Sequence, residues 1–221
     1  MPIAPRRPAK AALAGQSFSL VTTTADVAVF IDWQNTYKSA REAFGWWDYP
    51  NEYGNYSPLA AARLFTRGNG RLEGGRLVRV NVHRGLPSQK FDKRGYAANR
   101  KQAAAWMAED PELVVPRLRP LRYSREEPPR EKGVDVELAV AAVEFVLTGR
   151  CDVAVIFSHD TDLVPAVELL VQLRGTTCVE TAAWSSATFN RRLRTKPPVH
   201  HHAVSAVDFE RIERRINYAH A

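Results

Sequence analysis

The sequence predicts an α/β protein: a mainly parallel central sheet with helices on both faces. Three observations carry this. Val27–Ile31 and Val153–Phe157 are unbroken apolar runs, the pattern of strands buried on both faces. An aspartate follows each run closely, Asp32 after the first and Asp160 and Asp162 after the second, and open α/β sheets put their ligands at that carboxyl edge. Helix-like stretches also alternate with strand-like ones along the chain, the order of a parallel sheet with crossover helices. With 221 residues, 45% hydrophobic and 25% charged, the chain can bury the core of one large domain.

Residues 1–25 mix Pro, Ala and basic residues and read as a flexible lead-in. Val27–Ile31 is the first central strand, Trp33–Asn35 the turn after it, and Thr36–Phe44 the first helix. Ser57-Pro58 is a helix start, a cap followed by proline at the first helical position, and that helix stops near Gly68. Arg76–Val82 reads as a strand, Arg84–Ser88 as a loop, and Gln89–Ala108 as a long basic helix. Leu113–Tyr123 is strand-like, and Pro116 and Pro120 place it at an edge. Val134–Thr148 is a helix, Val153–Phe157 the second central strand, and a helix follows from about Asp162 to Leu173. Thr176–Ala182 reads as a strand and Ser185–Leu193 as a short helix. A last extended piece begins at Pro197-Pro198, and a terminal helix opens at Asp208. The expected division is a domain over 26–195 with a C-terminal extension, 196–221, packed on it.

Composition narrows the function. No apolar run approaches the ~20 residues of a membrane span, and the basic N-terminus lacks the apolar stretch of a signal peptide. Cys151 and Cys178 have no metal-ligand spacing and read as buried free thiols of a reducing compartment, which makes the expected location cytoplasmic. The net charge of +7 suits a polyanionic partner such as nucleic acid.

Asp32 and Asp160 are each expected at the carboxyl edge of one sheet, where either also suits a helix cap. Asp135 shares a helix face with Ala139, Ala142 and Val146, so it sits on the inward side at the first turn; Glu137 falls on the opposite, solvated face. A carboxylate on a core face costs several kcal/mol unless paired or bound to a cation. A cap or an ion pair to Lys132 is the structural alternative. Asp32, Asp135, Asp160 and Asp162 would together crowd one rim. Like charges this close require a cation, and oxygen ligands suit Mg²⁺ or Mn²⁺ rather than Zn²⁺. Such an ion can activate water against a phosphodiester.

Three blocks, Val29-Phe30-Ile31-Asp32-Trp33-Gln34-Asn35, Lys132-Gly133-Val134-Asp135-Val136 and Ser158-His159-Asp160-Thr161-Asp162-Leu163-Val164-Pro165, resemble the signature blocks of NYN domains. These belong to the PIN-like nuclease superfamily, and the chain is similar to its bacterial LabA-like branch. The resemblance spans about residues 26–184. It implies a Rossmann-like PIN fold and Mg²⁺- or Mn²⁺-dependent ribonuclease activity. It also implies that Asp32, Asp135, Asp160 and Asp162 hold the metal, with Asn35 and Ser158 supporting them. The chain departs from many relatives at His159, where they carry glycine, and at Ala141, where they carry a further aspartate.

Arg84, Arg94, Arg100 and Lys101 are candidate phosphate contacts, with Lys132 and His159, within the blocks, as further RNA contacts. Trp33 could stack on a base or pack in the core; Trp46, Trp47 and Trp184 read as packing residues. His200-His201-His202 reads as structural, because alternation in an extended segment keeps all three from converging. The reading is a metal-dependent ribonuclease acting on RNA, with an RNA-binding or regulatory module of weak or no turnover as the alternative, and a homo-oligomer is allowed. A dehalogenase-type phosphatase is disfavoured, because Asp32-Trp33-Gln34 lacks the second acid of that Asp-x-Asp motif.

Overall fold

The computed structural model describes residues 24–67, 71–124 and 126–220. The flexible lead-in expected over 1–25 lies almost wholly outside them. Six strands form one parallel sheet: β1 (Asp26–Asp32), β2 (Arg76–Leu86), β3 (Val114–Pro120), β4 (Val153–Phe157), β5 (Val179–Trp184) and β6 (His201–Val204). Their order across the sheet is β3-β2-β1-β4-β5-β6. The chain builds outward from β1 to β3, then returns to lay β4 on the other side of β1. That reversal makes the gap between β1 and β4 the topological switch point, where open sheets of this kind hold their ligands.

Alternation along β1 divides the core. Val27, Val29 and Ile31 face an aromatic cluster with Trp33, Tyr56, Phe65, Trp106, Phe157, Trp184 and Phe209. This cluster packs α1 (Trp33–Ala43), α2 (Pro58–Arg67), α3 (Lys93–Glu109) and α6 (Ala206–Ile212) against one face. Ala28 and Phe30 face the other side, under α4 (Val134–Leu147) and α5 (Val164–Arg174), with Leu138, Phe145, Ile156, Leu163 and Leu170. Period-two alternation thus gives each face its own apolar layer. Trp184 ties the aromatic layer to α1, its Nε1–H donating to the Thr36 carbonyl at 2.7 Å.

Several boundaries differ from expectation, each for a local reason. β2 runs on through Arg84 to Leu86, because β3 offers it pairing partners as far as Pro120. α3 begins at Lys93, not Gln89: Asp92 caps it by accepting from the Gly95 N–H at 2.7 Å. Ser185–Leu193 forms no helix. Ser186 and Phe189 close a turn on each other through the Ser186 N–H to the Phe189 carbonyl, 2.8 Å, and the Phe189 N–H to Ser186 Oγ, 3.1 Å. That turn carries Phe189 and Leu193 into the core instead. Trp47 is 59% exposed rather than packed. Glu137 is not fully solvated; it is half-buried and faces Arg119 at 3.5 Å. Both cysteines are free and buried. At the C-terminal end β6 completes the sheet, and Ser205 starts α6 with a reciprocal cap to Asp208. Among the described residues, no helix is long and apolar enough to cross a membrane.

Candidate metal centre

β1 and β4 leave the sheet side by side, with Ile31 paired to Phe157. The residues that follow them therefore meet at the switch point. Asp32 ends β1 and caps α1, its Oδ1 accepting from the Asn35 N–H at 3.1 Å. Asp160 caps a short 3-10 turn, Thr161–Leu163, by accepting from the Asp162 N–H at 3.0 Å. The helix-cap role and a place in the acidic cluster are thus compatible for both residues. Asp135 stands in the first turn of α4, where the helix dipole favours a negative charge.

Two side chains hold this arrangement together. Ser158 is fully buried. Its Oγ donates to Asp32 Oδ2 at 3.1 Å and accepts from the Asp160 N–H at 3.1 Å. The Asn35 side-chain oxygen accepts from the His159 N–H at 3.1 Å. The turn after β4 is in this way bonded to the turn after β1.

Asp32, Asp135 and Asp160 each offer an oxygen within 4.8 Å of the others. Burial above all, with a contribution from the Asp135 charge, raises the Asp32 pKa to about 7. Burial also raises that of Asp135, helped by Asp160, Glu131 and Asp162. The register partner of Asp32 does not relieve this. His83 is fully buried, and burial depresses its pKa to about 3, so the ring is neutral. Converging oxygen donors with uncompensated charge fit a hard divalent cation.

The structure separates the fourth predicted acid from the other three. Asp162 is exposed and lies outside the close group, reaching Asp135 only through its field. It also reveals an acid that the sequence reading passed over. Glu131 raises the pKa of both Asp32 and Asp135, and its Oε1 accepts from the Gly85 N–H at 2.6 Å. A Cβ at Gly85 would run into Glu131 and Leu121. The sequence signal, a glutamate two residues before Gly133 in a Pro-rich loop, is too common to have marked it.

The basic candidates divide likewise. Arg84 is half-buried, hydrogen-bonded to Gln102, and lines two grooves of about 600 and 450 Å³ that also share Gln34, two residues from Asp32. Burial lowers its pKa to about 10, which leaves it cationic at neutral pH. Arg94 lines the larger groove beside His220. Arg100 is exposed and lies across the helix from the groove row Gly95, Ala98, Asn99 and Gln102; Lys101 and Lys132 are exposed and do not line the groove. His159 packs edge-on against Phe189 at 5.7 Å, and burial and Arg191 lower its pKa. Trp33 is 1% exposed and belongs to the core.

Residues 26–196 match the NYN domain family. The chain belongs to that family. This places it in the PIN-like nuclease superfamily, consistent with the parallel sheet. A crystal structure of a protein of unknown function from Vibrio parahaemolyticus superposes with a TM-score of 0.53 at 16% identity, covering 83% of this chain and 93% of that one. At that identity the likeness is one of fold. Comparison with curated proteins gives no match. Within this NYN domain, position 141 lies about 9 Å along the α4 axis and about 120° round it from Asp135. Ala141 packs on the apolar layer there, so an acid at that position would not reach the cluster.

Proposed function

We propose that the protein is a Mg²⁺- or Mn²⁺-dependent ribonuclease that hydrolyses RNA phosphodiester bonds at the switch point. The observation that carries the reading is the convergence of Asp32, Asp135 and Asp160 with charge that no neighbouring strand neutralises. These three would hold the cation, with Asp162 at the margin. When bound, such an ion activates water and offsets charge on the phosphate. Ser158 and Asn35 fix the two turns relative to each other, so the donors are positioned before the ion arrives. Arg84 and Arg94 line the groove that Gln34, two residues from Asp32, also lines, and would contact the RNA backbone.

The test is cleavage of single-stranded and structured RNA by chelator-treated protein, with and without added Mn²⁺ or Mg²⁺. Activity should depend on the ion. Asp32→Asn and Asp160→Asn should each lower it on the order of 100-fold or more, about 2.7 kcal/mol in the barrier. Unchanged cleavage in both variants would refute the assignment. Salt-sensitive RNA binding with no metal-dependent turnover would instead favour a binding module.

A further inference from the structure

β5 and β6 form the edge of the sheet opposite β3. Their register pairs Thr181 with His201 and Ala182 with His202, and the Thr181 N–H donates to the His200 carbonyl at 3.0 Å. The three histidines are therefore laid along the middle of β5. Alternation splits them. His201 turns to Thr181, Nδ1 to Oγ1, at 2.9 Å. His200 and His202 fall together on the other side, ring centroids 4.7 Å apart, with Glu180. The structural reading of this run overlooked that the two outer histidines share a face, and that a third donor comes from another strand.

His202 Nε2 lies 2.7 Å from Glu180 Oε2. One ligand atom from each of Glu180, His200 and His202 lies within 4.8 Å of the others. Glu180 is 0% exposed, yet its Oε1 has no hydrogen-bond partner. Arg71 Nε stands 3.4 Å from it, on a side chain that is 44% exposed. A buried carboxylate oxygen left without a hydrogen bond is costly. The other oxygen of the same carboxylate faces His202, so Glu180 and the two imidazoles bring three ligand atoms to one place.

We propose that Glu180, His200 and His202 form a second metal site, separate from the aspartate cluster and taking a Zn²⁺-class ion. The donor set decides the ion. Two imidazole nitrogens and one carboxylate suit Zn²⁺, whereas the all-oxygen rim suits Mg²⁺ or Mn²⁺. Tetrahedral Zn²⁺ sets its ligand atoms about 3.3 Å apart. Rotation of His200, on the segment just before β6, closes the remaining gap, and the Glu180–His202 hydrogen bond opens to admit the ion. The fourth position is left for water. The bound ion would tie β6, and α6 after it, to β5. The position is distinct from the rim: Glu180 pairs with Val155 and so with Val29, two strands over from β1 and three residues short of Asp32. The inference does not rest on nuclease activity.

The experiment uses untagged full-length protein, stripped with chelator and equilibrated with micromolar Zn²⁺ in millimolar Mg²⁺. Bound zinc is counted per chain, and Co²⁺ substitution is followed by visible absorption for a tetrahedral site. The expected result is one Zn²⁺ per chain. His200→Ala and His202→Ala should each weaken it at least about tenfold, while Asp32→Asn and Asp160→Asn leave it unchanged. His200 precedes the strand, so its variant retains the fold; circular dichroism checks this for both. Absence of zinc from the wild type, wild-type affinity in both histidine variants, or loss of zinc in the aspartate variants would overturn the proposal. Glu180, His202 and Arg71 would then be an ion-paired network.

Discussion

Among the described residues Asp32 and Glu180 are the two buried acids, 2% and 0% exposed, and they sit in one sheet. Asp32 accepts from a backbone amide and a serine hydroxyl, and the charged groups nearest to it are further carboxylates. Glu180 has an imidazole at 2.7 Å and a guanidinium at 3.4 Å. Burial is alike, but the neighbours are of opposite sign. The first environment accumulates negative charge and suits a hard cation. The second is partly neutralised already, and suits an ion that binds nitrogen. What a buried carboxylate does is set by the groups that surround it more than by its depth.

The largest effect expected from this contrast is in RNA cleavage. Asp160→Asn removes a donor from the close group, with the loss of about 100-fold or more proposed for that site. Asp162→Asn, at an exposed position, should stay within about threefold, under ~0.7 kcal/mol. Glu180→Gln should stay near wild type. Equal losses at Asp160 and Asp162 would return Asp162 to the ligand set and break the distinction drawn from burial.

The next effect is on stability. The Asp32 pKa is about 7 when folded against an ordinary value of 3.8, so the folded state holds its proton more tightly. The metal-free fold is then most favoured below about pH 4 on this account, and loses stability as pH rises towards 7. The loss is up to roughly 4 kcal/mol at 1.36 kcal/mol per unit. Asp135 is shifted in the same direction. Denaturant titrations from pH 4 to 8 should show the slope, Asp32→Asn should flatten it, and Mg²⁺ should restore stability at the high end by binding the ionised native state. A flat metal-free profile would mean that the rim carries no uncompensated charge.

The smallest effect concerns RNA affinity. Arg84→Gln should weaken binding by about 1 kcal/mol and reduce the salt dependence by about one ion. Arg100→Gln, across α3 from the groove, should change it by less than half as much. Filter binding over a range of salt compares them directly, with thermal denaturation as the check on Arg84, since it also bonds Gln102. An equal effect at Arg100 would move the RNA path onto the exposed face of α3.

Much of the fold was legible because its signals are local. Val27–Ile31 and Val153–Phe157 read as buried strands from their unbroken apolar character, and Pro116 and Pro120 put β3 at an edge, where the sheet order has it. Ser57-Pro58 marked the start of α2. Misreadings arose where one local signal competed with another. The basic stretch from Gln89 resembled a helix, yet Asp92 caps it three residues later than its pattern begins. Ser185–Leu193 carried helix-like residues, yet Ser186 and Phe189 satisfy each other in a turn. Glu131 and Glu180 had no legible signal, since their surroundings come from distant segments.

The sequence by itself determined which acids close strands or open helices, because strand ends and caps depend on residues within about one turn of each other. Tertiary structure alone decided that Asp32, Asp135 and Asp160 meet while Asp162 stays outside, and that Glu180 lies against His200 and His202. Those meetings depend on which strands become neighbours, β4 beside β1 and β6 beside β5. The raised pKa of Asp32 has the same origin: it arises from burial and like charge, which residues far apart in the chain create only when they pack.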